Sequence, residues 1–249
     1  MKSEAVFFLK ETNFYNGSEP YFYDASQVAA VKILEDNWRI IHDEFSDLIN
    51  GKRDIVLDIP YPPGISRPDA WKITYFFNFM WQYHRNCKMY PKTYKLLKSI
   101  PDLTFAALTS LDARAIVLPH IGETNTTMRG HLGLEVPASY PIMGIKVGNE
   151  ERGWQQGKVV LFSDCHWHSA WNNSDKKRFV LVFDIIRPEF AQQKLWMCAR
   201  GLSAISIKML NERWGVFNPF PDFIAKGLHF LLAALWFMYL PLQRVFRLP

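Results

Sequence analysis

Cysteine is scarce: three residues in 249, Cys87, Cys165 and Cys198, odd in number and far apart, with no CxxC pair. That usage excludes a disulfide framework and is expected of a reducing compartment. Lysine and arginine form no run of five or more, so a formal charge of +5 and a pI near 9.0 do not mark a nucleic-acid groove. An anionic membrane surface or an acidic substrate suits the same charge, and no nucleic-acid partner is expected. After Met1-Lys2-Ser3-Glu4, only five apolar residues precede Lys10, too short a run for a signal-peptide core, and the chain is expected to stay in the cytoplasm. Internal repeats and low-complexity stretches are absent, which excludes a solenoid.

Apolar side chains, by contrast, are plentiful. Hydrophobic residues make up 49% and aromatics 15%, enough to bury a large core, and the length suits one β-barrel or sandwich domain with helical additions. Between residues 28 and 50, Leu34, Trp38, Ile41, Phe45 and Leu48 recur at steps of four and three, which is one face of a helix. Asp24 or Ser26 can cap its start and Gly51 ends it. This face is expected to pack on the outside of the sheet that follows. Tyr61-Pro62-Pro63-Gly64 reads as a loop.

Past Lys72 the texture changes to short β-rich runs at 73–79, 104–108, 115–118, 127–136, 142–147, 158–162 and 178–186, interrupted by a helix at 91–100. The segments between them are too short for crossover helices, which predicts a mainly β jelly roll or sandwich rather than an α/β sheet. The organisation expected is an N-terminal helical and irregular region over 1–71, a β domain over 72–190 and a helical tail over 191–249.

Only seven histidines occur, yet His120, His131, His166 and His168 fall inside the β-rich region, with Arg129 and Arg178 beside them. Non-haem iron oxygenases hold Fe(II) through two histidines and usually one carboxylate, leaving positions for a bidentate co-substrate and O2. Their usual order is His-x-Asp, a distant His, and an Arg about ten residues later whose planar fork grips a carboxylate through two parallel N–H groups. His168 and Arg178 keep that last spacing. The first half departs from the pattern: Gly122 stands where the carboxylate ligand belongs. Arg129 and His131, two apart on a strand, point to one face and can offer a cation and a hydrogen-bond donor to a dianion. By the same rule Asp164, His166 and His168 share a face if the strand reaches that far, so His166 orients His168, lines the substrate pocket, or is simply an exposed histidine at the rim. Trp154 and Trp171 read as packing residues.

Several segments resemble the aspartyl/asparaginyl β-hydroxylase family of Fe(II)/2-oxoglutarate dioxygenases, which also includes proteins of the lipid A 2-hydroxylase type. They are Leu118-Pro119-His120-Ile121-Gly122-Glu123-Thr124-Asn125, Met128-Arg129-Gly130-His131-Leu132-Gly133-Leu134 and Val147-Gly148-Asn149-Glu150-Glu151-Arg152-Gly153-Trp154. The likeness continues from Gly157-Lys158-Val159 through Trp167-His168-Ser169-Ala170-Trp171-Asn172 to Asp184-Ile185-Ile186-Arg187-Pro188-Glu189. Members of this family keep glycine in place of the carboxylate ligand, so the departure at Gly122 supports the resemblance. It implies a double-stranded β-helix with helices packed outside, and the cofactors Fe(II) and 2-oxoglutarate. His120 and His168 would bind the metal as catalytic ligands, with water in the third position. Arg129, His131 and Arg178 would hold 2-oxoglutarate, joined by a hydroxyl from Thr109 or Ser110.

The implied reaction hydroxylates an unactivated C–H bond with O2, on a peptide, an amino acid or a lipid acyl chain. The tail bears on that choice. Residues 227–240 carry no charge, with Trp236 and Tyr239 near the end, Lys226 before and Arg244 and Arg247 after. Such a run is short of the roughly 20 residues that span a bilayer but suits a helix lying at its surface, which would place the chain peripherally on the inner face of a membrane. A buried helix covering the barrel is the competing reading. A catalytically silent metal- or lipid-binding jelly roll at the membrane is the alternative to the enzyme. Retention of His120, His168 and Arg178 together argues against it.

Overall fold

The computed structural model describes residues 6–8, 15, 17–52, 64–214 and 222–246. The signal-peptide question, most of the proline-rich loop and Arg247 lie outside these. Ten strands form two antiparallel sheets: β1 (Trp71–Asn78), β2 (Trp81–Gln82), β3 (Leu103–Leu111), β4 (Ala115–His120), β5 (Thr127–Glu135), β6 (Met143–Val147), β7 (Glu150–Arg152), β8 (Val159–Phe162), β9 (His168–Asn172) and β10 (Arg178–Ile186). The larger sheet runs β2-β1-β3-β10-β5-β8 and the smaller β4-β9-β6-β7. The fold is the expected jelly roll, with helices outside it.

Strand periodicity explains the layering. On β10, Phe179, Leu181, Phe183 and Ile185 face an outer core with Phe45, Phe76 and Leu97, while Val180 and Val182 face an inner core with Phe162, Ile145 and Trp154. Both faces of β10 are therefore covered and all nine of its residues are buried. The outer core is closed by α1 (Ala29–Asp36), α2 (Trp38–Glu44), α3 (Ser46–Ile49), α4 (His84–Met89) and α5 (Pro91–Lys98), which bring Leu34, Ile41, Phe45 and Leu48 onto the sheet.

The single helix expected over 28–50 is three helices, interrupted at Asn37 and Phe45. The apolar spacing is kept because the face still meets one sheet. Asp24 does cap, but a 3-10 turn: its Oδ1 accepts from Ser26 N at 3.0 Å. Gly51 follows with φ 72°, a left-handed terminator.

The tail forms two helices, α6 (Lys194–Trp214) and α7 (Asp222–Phe246). They pack against each other and against the β1–β2 hairpin around Phe79, Leu202 and Leu240. That hairpin turns at Phe79 and Met80 with φ 46° and 67°, a left-handed pair that glycine or asparagine adopts more easily. The two bulky residues are held there by packing: Phe79 is 6% exposed and lies against Gly201 of α6. Among the described residues no helix is long and apolar enough to cross a membrane.

Candidate active site

A cavity of about 260 Å³ opens between the two sheets, lined by side chains from β1, β3, β4, β5, β9 and β10 and by the loop after β4. His120 and His168 stand opposite each other on paired strands at its wall, ring centroids 4.1 Å apart. Simple alternation from Val117 would turn Pro119 inward and His120 out. A one-residue bulge between Val117 and His120 leaves both Leu118 and Pro119 exposed and returns His120 to the inner face. Proline suits that place, since it lacks the N–H a regular ladder would use.

Each ring is held the same way. His120 Nδ1 bonds Leu118 O at 2.8 Å, and His168 Nδ1 bonds His166 O at 2.9 Å. A carbonyl can only accept, so both Nδ1 atoms carry the proton and both Nε2 atoms keep a lone pair. Burial holds both rings below the usual histidine range, His168 far below, so both are neutral, as metal ligands must be.

Gly122, where the sequence pattern expects a carboxylate, has no room for one. A Cβ on Gly122 would fall inside the Asp164 carboxylate, and Gly122 N also donates to Asp164 O at 2.7 Å. Asp164 is buried and its Oδ1 has no partner. Burial pushes its carboxyl up to about 7 against the pull of Arg129, which serves two buried acids at once. Among the described residues no set of three or more His, Cys, Asp or Glu is arranged to hold a metal. The donor set is thus two neutral imidazoles beside an orphaned carboxylate oxygen. It fits a metal that keeps solvent or co-substrate in its remaining positions.

The two arginines differ sharply. Arg129 sits across β5–β10 from Asp184 and grips it with Nε at 2.8 Å and Nη2 at 2.7 Å, while Nη1 reaches Asp164 at 2.8 Å. It lines the cavity, but two carboxylates neutralise it. Three of its five N–H groups are engaged within the protein, which leaves two for a ligand. Arg178 opens β10, is 2% exposed, and has no partner at Nε or Nη1. Its guanidinium lies 4.5 Å over the Trp154 ring, and burial lowers its pKa to about 9. At neutral pH it remains a buried cation, with no carboxylate paired to it among the described residues.

His131 lies on the inner face of β5 as its spacing from Arg129 predicts, stacked on Trp154 at 6.0 Å, with Nδ1 unpartnered. Burial, then the charges of Arg178 and Arg129, keep it well below the usual histidine range. Thr109 lines the cavity, whereas Ser110, one residue on, belongs to the opposite face of β3. Of that pair, Thr109 is the one that reaches the cavity.

His166 is not in the cavity. The chain turns at 164–166 and β9 begins at His168, so the period-2 argument fails there. Its ring bonds Glu19 O at 2.8 Å between Tyr15 and Tyr21, and only its main-chain carbonyl serves His168. Trp171 packs, with Nε1 on Pro141 O at 2.9 Å, but Trp154 is the platform for Arg178. Glu123, Ile205 and Lys208 also line the cavity. Spacing could not have found the last two, because α6 reaches the barrel only through tertiary packing.

The model of the Aspartyl/Asparaginyl beta-hydroxylase family matches residues 35–188, well over half of the sequence. The chain belongs to this family. An ornithine lipid ester-linked acyl 2-hydroxylase from Rhizobium tropici is 30% identical over 175 residues, covering 68% of this chain and 61% of the relative. The human aspartyl/asparaginyl beta-hydroxylase is 31% identical over 183 residues, 70% of this chain but 23% of that protein. Human aspartate beta-hydroxylase domain-containing protein 2 is 30% identical over 195 residues, 75% of this chain and 51% of the relative. The chain thus spans less than two thirds of each. The matched region contains every candidate ligand from Thr109 to Arg178, and it stops short of α6 and α7.

Proposed function

We propose that this chain is an Fe(II)/2-oxoglutarate-dependent dioxygenase that hydroxylates an unactivated C–H bond. The acceptor is an aspartyl/asparaginyl-like side chain or a lipid acyl chain. The observation that carries the reading is the buried, unneutralised guanidinium of Arg178 in one cavity with two neutral, metal-ready histidines. A buried cation without a partner is costly, and an anionic ligand relieves the cost. A planar fork selects a carboxylate among anions. Iron with 2-oxoglutarate and O2, when bound, supplies the oxidising power, the keto acid leaving as succinate and CO2.

The protein's part is position and dryness. His120 and His168 hold the metal through Nε2, their rings fixed by Leu118 and His166 carbonyls. Arg178 takes the distal carboxylate of 2-oxoglutarate on the Trp154 platform, with the Thr109 hydroxyl beside it. His131 offers Nδ1 to the co-substrate. Asp164, buried against Gly122 with Oδ1 unpartnered, would help order solvent near the metal, and Arg129, locked by Asp184, keeps Asp164 in place. Arg129 retains N–H groups for the co-substrate as well, as a shared contact.

The acyl-chain acceptor gains support from the relative named for acyl 2-hydroxylation and from the exposed apolar surface of α7. With it goes a cytoplasmic chain peripheral to the inner face of a membrane. Mass spectrometry of lipid and peptide extracts from cells with and without the gene tests the activity. A gene-dependent gain of one oxygen atom in one class identifies the substrate; no oxygenated product in either removes the reading.

A further inference from the structure

α7 has two apolar faces, and only one of them is covered. Along the covered face His229, Ala233, Leu240 and Gln243 are buried, all three intervals being whole turns or near them. Ser203 Oγ on α6 donates to His229 O at 2.8 Å, and Trp236 Nε1 donates to Ser206 Oγ at 3.2 Å. Gln243 exchanges two hydrogen bonds with the main chain of Gln82 on β2, at 3.1 and 2.8 Å. The helix is therefore fixed to the barrel, and the core-helix reading of the tail is correct for this side.

On the other side Leu231, Leu235, Met238 and Leu242 follow at steps of four, three and four, exposed by 56, 50, 60 and 45%. Phe230, 65% exposed, and Phe237, 41%, widen the stripe. The remaining exposed positions from 227 to 242 are Gly227 and Pro241, so no exposed side chain in this run carries a hydrogen-bonding group, and Tyr239 beside it is partly buried. Protein partners do not match that. Even homodimer interfaces are only about 65% apolar, and a typical interface carries on the order of ten hydrogen bonds. Hydrocarbon requires none. A helix tied to the barrel along one side and apolar along the other is built to lie in the plane of a bilayer surface.

The charge agrees with the same occupant. Exposed Lys226 stands at the head of the stripe, and the chain carries a net +5, which favours an anionic headgroup layer. The hairpin is also continuous with the site, since α6, to which α7 is bonded, contributes Ile205 and Lys208 to the cavity wall.

We propose that the α6–α7 hairpin docks this chain onto the surface of an anionic lipid bilayer through Phe230, Leu231, Leu235, Phe237, Met238 and Leu242, so that α6 admits an acyl substrate from the bilayer to the cavity. Docking stands on the helix alone. Only the delivery of substrate rests on the dioxygenase reading.

The test is co-sedimentation of the full chain with phosphatidylcholine vesicles containing phosphatidylglycerol, without metal. The wild type pellets with the vesicles. Leu231→Gln/Leu235→Gln/Met238→Gln, which touches no core position, loses at least ten-fold in partitioning while keeping its thermal protection by 2-oxoglutarate with Zn(II). A second variant, Leu235→Lys alone, falls in between. Wild-type protein that stays in the supernatant overturns the proposal. So does a wild-type dimer that the triple variant dissociates, because the stripe is then a contact between copies. Vesicle binding by a protein that forms no succinate leaves docking intact and removes the dioxygenase reading. Hydroxylation without vesicle binding does the reverse.

Discussion

Replacing Arg178 with methionine should move stability and co-substrate binding in opposite directions. Burial lowers the guanidinium from 12.5 to about 9. At about 1.4 kcal/mol per tenfold change, that is on the order of 5 kcal/mol held against the charged form. A cation whose folded-state pKa is depressed destabilises the fold at every pH below that value, so the cost is fully present at pH 7. Methionine removes it and keeps much of the stem's volume, at the loss of a contact with Trp154 worth about 1–2 kcal/mol. A net gain of about 3–4 kcal/mol follows for the ligand-free chain, and at roughly 2–4 °C per kcal/mol for this size, Tm rises by about 6–16 °C. Binding goes the other way. Two charged hydrogen bonds at about 1.5–3 kcal/mol each are lost, so Kd for 2-oxoglutarate rises by roughly 100-fold or more. Thermal unfolding with Zn(II), with and without 2-oxoglutarate, reads both. At 100 times the wild-type Kd the ligand protects the wild type by about 2.7 kcal/mol and the variant by about 0.4 kcal/mol or less. A variant that melts lower yet keeps full ligand protection would refute the assignment of Arg178.

The remaining expectations can be checked on the same protein. Gly122→Asp should not restore a three-ligand site, because its Cβ collides with the Asp164 carboxylate; iron binding weakens, and faster hydroxylation would mean a damaged ordinary triad. Thr109→Val should cost 2-oxoglutarate affinity about 5-fold, one ordinary hydrogen bond, while Ser110→Ala on the other face changes it by less than about two-fold. In the metal-free chain His120, His131 and His168 are held neutral by burial, whereas in the unfolded chain they charge below about 6.5. Asp164, raised to about 7, opposes this by binding one extra proton in the fold. With His131 and His168 counted whole and Asp164 subtracted, the unfolded state takes up at least about one more proton net, and stability falls by roughly 1.4 kcal/mol or more per pH unit below pH 6. Urea unfolding at pH 6.5 and 5.5 reads this, and a flat profile contradicts the neutral assignment.

Much of the barrel was legible because its strands are short and bounded by turns; the run at 178–186 coincides with β10. Three strands escaped. β2 and β7 are two and three residues long, and β9 follows a turn that hides its alternation. That His120, His131, His168 and Arg178 gather at one place was readable from residue type and order, since they do share one cavity. Their electrostatics were not. Arg129 and Arg178 look alike in sequence, and only cross-strand register, which pairs Arg129 with Asp184, makes one neutralised and the other not. For the tail the sequence alone offers a core helix or a surface helix, but a helix with apolar residues on both sides has a face for each.

The central claim is that His120 and His168 alone hold the iron. Anaerobic titration of the purified chain with Fe(II) and 2-oxoglutarate, followed by visible absorbance of the metal–keto acid complex, tests it most directly. The account predicts one iron per chain in the wild type and no complex in His120→Ala or in His168→Ala, because either change leaves a single protein ligand. Full iron occupancy in either variant, with the complex unchanged, would contradict it.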